Sequence, residues 1–130
     1  MTSTSKLFGL ATGILMLAGA SAAYAAGDAT KGNGVFQSQC AMCHGVTVGA
    51  NGIGPSLAGI YGKPAASVAA GYEYSPALKG ANLTWNDATL DKFLAAPQGA
   101  VPGTKMPYAG LPDAADRADV IAYLATLTGK

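Results

Sequence analysis

The chain has 130 residues, with eight Lys and Arg against seven Asp and Glu for a formal charge of +1. That balance, without a clustered basic patch, argues against nucleic-acid binding, which depends on concentrated positive charge. Half of the residues are hydrophobic and 12% are charged, the composition of one globular domain.

Residues 1–25 carry the marks of a secretory signal peptide. Lys6 supplies the positive start, Leu7 to Gly19 the apolar stretch and Ala23-Tyr24-Ala25 a small-x-small cleavage site. About 13 apolar residues fall short of the ~20 needed to span a bilayer, so cleavage after Ala25 is expected rather than a retained anchor. No later stretch is long and apolar enough to be transmembrane. The expected product is a soluble periplasmic domain over 26–130, a monomer in which six Lys and one Arg face six Asp and one Glu. A domain this small is marginal on its own side chains and usually needs a staple.

Asp28 is placed to cap a first helix running to about Gln39, with Gly32, Val35 and Phe36 on one face. The helix delivers the most informative segment, Cys40-Ala41-Met42-Cys43-His44, which has the attachment pattern of c-type haem. Each thiol would add across a vinyl group to form a thioether, and His44 would ligate the iron. A structural zinc site needs four Cys or His ligands, but Cys40, Cys43 and His44 are the only such residues. A thioredoxin-like dithiol belongs to a βαβ sheet, and no β-branched alternating strand surrounds Cys40. A disulfide across so short a loop would stabilise little. One covalently attached haem, with its iron, is therefore expected, and its burial would supply the missing apolar mass.

From Val46 to Tyr72, and again from Pro97 to Pro112, recurring Gly and Pro predict loop. Between these, Ser75-Pro76 followed by Gly80 predicts a short helix. Thr84-Trp85-Asn86-Asp87 has capping-box spacing, and Leu90, Phe93 and Leu94 recur at helical spacing up to Pro97. Asp113 is placed to cap a last helix whose apolar stripe is Val120, Ile121, Leu124 and Leu127. The fold class is all-α: loop-rich helices wrapped around a cofactor.

A second axial ligand can be sought by elimination. His44 is the only histidine, Met1 and Met16 leave with the signal, and Met42 lies between the two attachment cysteines. Met106 remains, a soft thioether donor suited to ferrous iron, in the proline-restricted segment Pro102-Gly103-Thr104-Lys105-Met106-Pro107.

With these residues in place, the chain resembles the class I c-type cytochromes, specifically the small mitochondrial-like bacterial cytochromes c. The likeness runs through Gly32 and Phe36, the Cys40–His44 motif, Gly54-Pro55-Ser56-Leu57, Gly71-Tyr72-Glu73-Tyr74-Ser75, Leu83-Thr84-Trp85, Pro102 to Met106, and Arg117 to Leu124. The resemblance implies the cytochrome c fold. It also implies that the Pro55 carbonyl orients His44, that Tyr74 and Trp85 bond a haem propionate with Thr104 assisting, and that Gly32 and Tyr123 mark a close crossing of the first and last helices. Three departures stand out. Lys63 occupies a position where the family often has an arginine near the inner propionate, and Phe93 one where many members have a tyrosine on the methionine sulfur. Around the haem edge the lysine ring is thin: Lys79 and Lys105 remain, but Gln39 replaces a basic residue.

The expected function is single-electron carriage through the exposed haem edge, not enzymatic turnover, because His44 and Met106 would leave no open iron position. Membrane or periplasmic redox proteins are the expected partners, such as a cytochrome bc complex, a terminal oxidase or a dehydrogenase. They would meet the rim near Met42, Gln39, Lys105, Pro107 and Tyr108. Two alternatives stay open: a dedicated electron acceptor of one periplasmic dehydrogenase, and a haem-based gas sensor in which Met106 is displaced.

Overall fold

The computed structural model describes residues 26–130. The expected signal peptide, 1–25, lies outside the described residues. These form five helices: α1 Ala29–Gln39, α2 Pro76–Lys79, α3 Asp87–Ala95, α4 Pro97–Ala100 and α5 Ala114–Thr126. There is no strand among the described residues, only the isolated bridges His44–Asn51 and Pro64–Thr84.

α1 starts where expected, because the Asp28 carboxylate accepts from the amides of Thr30 (2.9 Å) and Lys31 (3.0 Å), two donors that a helix start leaves free. α5 starts likewise, with Asp113 accepting from the Asp116 amide at 2.9 Å. These two helices cross backbone to backbone. A Cβ on Gly32 would lie 1.9 Å from the Asp119 carbonyl oxygen and 3.0 Å from Cβ of Tyr123, so only glycine fits at the crossing. The crossing is tied by the Asp28 amide, which donates to the Asp119 carboxylate at 2.7 Å, and by the Phe36 and Tyr123 rings, 5.4 Å apart. Phe36 and Val120, each 1% exposed, head a core that continues through Leu90, Leu94, Leu111, Ile121 and Leu124. Leu127, expected on the α5 stripe, instead ends the helix in extended conformation, and its carbonyl accepts from the Gly59 amide at 3.1 Å.

Two further expectations need correction. The capping box of α3 is built by Asn86 and Thr89, not by Thr84 and Asp87: Asn86 Oδ1 accepts from the Thr89 amide and Thr89 Oγ1 from the Asn86 amide, both at 3.0 Å. Thr84 and Trp85 are held extended beside the 62–64 segment. The Trp85 amide donates to the Lys63 carbonyl at 2.9 Å and its carbonyl accepts from Gly62 at 2.7 Å, so neither residue can enter the helix. The second correction is α4, which interrupts the stretch expected to be loop. Pro97 ends α3 and is also the first residue of α4, a position where proline's missing N–H costs nothing.

The segment 46–72 is loop, as expected, and lies over the same core through Ala58 and Ile60. Arg117 on α5 joins three parts of the fold. Its Nε donates to Asp91 on α3 at 2.7 Å, and its Nη1 to the carbonyls of Leu111 and Pro112, both at 2.9 Å.

Candidate haem site

One cavity of about 420 Å³ is bounded by the end of α1, the 53–57 and 72–78 segments, Trp85, the inner face of α3 and the 104–108 loop. That volume falls within the ~300–1,000 Å³ typical of ligand sites. All eight residues singled out from the sequence line it: Cys40, Cys43, His44, Pro55, Tyr74, Trp85, Thr104 and Met106.

The attachment motif reaches the cavity by a tight turn off α1. The Cys40 amide donates to the Phe36 carbonyl at 2.8 Å, and the Cys43 and His44 amides both return to the Cys40 carbonyl, at 3.1 and 3.0 Å. The two thiols are not joined to each other. Burial pushes the Cys40 thiol up to about 11, with the neighbouring Cys43 acting in the same direction.

The imidazole is fixed from two sides. His44 Nδ1 lies 2.7 Å from the Pro55 carbonyl oxygen; the N–H donates there, which leaves Nε2 with its lone pair free to bind a metal. Against the ring face lies Gly54, where a Cβ would stand 2.5 Å from Cε1 and 3.0 Å from Nε2. Burial holds His44 below its ordinary value, opposed by the bond to Pro55, so the ring is the neutral form that metals require. The Pro55 segment is itself held: the Ser56 amide donates to Asn51 Oδ1, and Asn51 Nδ2 to the Ala70 carbonyl, both at 2.9 Å. The sequence alone points to no role for Gly54 or Asn51. Gly54 could have been suspected from its place before Pro55, but nothing local marks Asn51.

Opposite the motif in sequence, Met106 is half-buried and packed against the core. Its amide faces Thr104 Oγ1 at 3.5 Å, a weak contact, and the Thr104 carbonyl accepts from Gln98 Nε2 of α4 at 2.7 Å. Trp85 packs edge-on to Phe93 at 5.1 Å, and both line the cavity. The Tyr74 hydroxyl accepts from the Ala69 amide at 3.1 Å. Lys63 is exposed and stands outside the cavity lining. At the rim the Tyr108 hydroxyl donates to Gln39 at 3.2 Å, and Met42 is 89% exposed.

Two soft sulfur nucleophiles, an oriented imidazole and a thioether thus converge on one mainly apolar space. That donor set fits a covalently held haem. Comparison with known proteins agrees. The family model for cytochrome c matches residues 29–128. The chain belongs to the class I c-type cytochromes. It is 51% identical over 109 residues to a cytochrome c2 of Rhodomicrobium vannielii, covering 83% of this chain and 86% of that one. A cytochrome c of Euglena viridis is 46% identical over 101 residues, 78% of this chain and 98% of that protein. Among solved structures, cytochrome cH from Methylobacterium extorquens superposes with a TM-score of 0.72 at 45% identity, covering 77% of this chain and 99% of that one. As a member of this family, the protein is an electron-carrier cytochrome with one covalently attached haem c.

Proposed function

We propose that this cytochrome is a periplasmic shuttle that moves single electrons between larger redox complexes through a haem ligated by His44 and Met106. The observation that carries the reading is the His44–Pro55 contact of 2.7 Å, which presents Nε2 in the same cavity that Met106 lines. The haem, when bound, supplies the one-electron couple. Cys40 and Cys43 hold it covalently, and His44 offers Nε2 with its orientation and basicity set through Nδ1 by the Pro55 carbonyl. Met106 would give the iron a soft thioether donor that favours the ferrous state, which would make the potential positive. Tyr74, Trp85 and Thr104 would offer their polar groups to the haem propionates. Phe93, Leu94 and Ile60 exclude water and disfavour the ferric charge.

With His44 and Met106 both given to the iron, no position would be left there for a substrate, and electrons would cross at the cavity rim. In keeping with a shuttle, no helix among the described residues is long and apolar enough to cross a membrane.

Met106→Ala tests the ligand assignment. The ferric protein should become high-spin or water-ligated, lose its sulfur-to-iron charge-transfer band and fall markedly in potential. Retention of a low-spin spectrum with that band intact would overturn the assignment. Stopped-flow reduction by purified periplasmic dehydrogenases and by a cytochrome bc complex tests the shuttle: rapid electron exchange with one dehydrogenase alone would favour a dedicated acceptor.

A further inference from the structure

We propose that Glu73 sets the charge of the cavity mouth and fits it to a redox protein whose docking face is apolar and weakly charged, not acidic. The proposal rests on the reading that electrons cross at this mouth. Glu73 and Lys105 are the charged side chains that line the cavity, and Glu73 also pairs with Lys79, which stands outside the lining. Its carboxylate takes the Lys79 ammonium at 2.5 Å. The Lys105 ammonium donates to the Glu73 carbonyl and lies 4.8 Å from the centre of the Tyr72 ring. The bond from Lys79 holds the Glu73 carboxyl below its ordinary range, and the charge of Lys105 adds to this, so the anion persists at neutral pH.

Glu73 therefore touches both ammonium groups, and its carboxylate offsets part of their positive charge. An exposed ion pair of this kind contributes little to stability; its consequence lies in the field that an approaching partner meets. Beside it stands an exposed apolar side chain. Ile53 is 71% exposed, and its carbonyl accepts from the Tyr72 hydroxyl at 3.1 Å, which joins it to the same knot. A partner that relied on a cluster of carboxylates would find little to pair with here, whereas an apolar face could close against Ile53 and Met42.

The test uses small oxidants of opposite charge. Reduced holoprotein is oxidised by ferricyanide, an anion, and by tris-phenanthroline cobalt(III), a cation, for the wild type, Glu73→Gln and Lys105→Gln. In Glu73→Gln the ferricyanide-to-cobalt rate ratio should rise on the order of tenfold at about 10 mM ionic strength and about twofold at about 200 mM, as the Debye length shortens. Electron self-exchange provides the protein probe, because two copies must meet mouth to mouth. Glu73→Gln should slow it at low salt and make it quicken with salt, while Ile53→Ser should slow it several-fold without changing its salt slope. If Lys105→Gln shifts the ratio but Glu73→Gln does not, the lysines alone govern the mouth and the proposal is overturned; an Ile53→Ser rate equal to wild type overturns its apolar part. If both oxidants react at rates indifferent to both positions, electrons leave elsewhere, and the shuttle reading of this rim fails together with the proposal.

Discussion

Arg117 Nε donates to Asp91 at 2.7 Å, so one guanidinium on α5 ties α3 to the segment that follows the Met106 loop. The pair is largely withdrawn from solvent, with side-chain exposures of 13% and 28%. Removing one partner leaves the other poorly solvated and two carbonyls without their donor. Arg117→Leu is therefore expected to cost about 2–3 kcal/mol. Arg117→Lys, which keeps the charge but not the fork, should lose about half of that. Guanidinium unfolding of the holoprotein checks this: the midpoint should fall with an unchanged slope. A leucine variant within about 0.5 kcal/mol of wild type would show that water replaces the guanidinium at no cost.

Two glycines of α1, two positions apart, should respond in opposite directions. At Gly32 a methyl group would meet the Asp119 carbonyl at 1.9 Å, whereas at Gly34 nothing lies within 4 Å. Gly32→Ala must push α1 and α5 apart and should destabilise by about 3 kcal/mol or more. Gly34→Ala removes only the entropic cost of glycine in a helix and should stabilise by about 0.5–1 kcal/mol. Thermal melts of the two variants should bracket the wild type, and equal melting temperatures would mean that the helices cross elsewhere.

That crossing was legible in the sequence only through family resemblance, whereas the caps at Asp28, Asp113 and Ser75, whose hydroxyl accepts from the Leu78 amide at 3.1 Å, were legible from the chain itself, because a cap is chemistry among adjacent residues. The start of α3 was misread because two overlapping pairs both satisfy the spacing. The bridge from Thr84 to Pro64, distant in sequence, decides between them. α4 was missed because Pro97 reads as a stop and gives no sign that it also begins a turn. In the cavity, the motif and Met106, the methionine that elimination leaves, are announced by residue type. Gly54, Asn51, Gln98 and Glu73 did not, since each acts on a group that only the folded chain brings near.

Acid stability should carry a measurable share from Asp28. The Lys31 amide is the chief cause that holds this carboxyl below its ordinary 3.8, with the Thr30 amide and the Lys31 charge adding to it. A lowered folded value means that the stabilisation is complete above the unfolded value and disappears as pH falls through the folded one. Asn caps as well as Asp but does not titrate. Asp28→Asn should match wild type near neutral pH and lose less stability than wild type between about pH 4 and 2. Parallel acid limbs for the two proteins would show that the cap does not favour the ionised carboxyl.

Gln98 should control how readily Met106 leaves the iron. Its amide, on the unforeseen α4, donates to the Thr104 carbonyl at 2.7 Å, two residues before the proposed ligand. Gln98→Glu keeps the length of the side chain but presents a carboxylate to that carbonyl, replacing attraction with repulsion. Gln98→Ala removes the contact alone. With Met106 as the proposed ligand, exogenous imidazole would bind ferric iron only when that side chain moves out, so its apparent affinity would report the cost of opening the loop. A hydrogen bond with a net value of ~0.5–1.5 kcal/mol corresponds to imidazole binding roughly 2- to 12-fold tighter in the alanine variant, and the glutamate variant should lie at or beyond the upper end. The spectra without imidazole should stay low-spin in both, because the brace positions the loop and does not itself supply the ligand. If both variants bind imidazole as wild type does, the loop is held by Pro102, Pro107 and the Arg117 anchor alone, and Gln98 is an ordinary surface residue of α4.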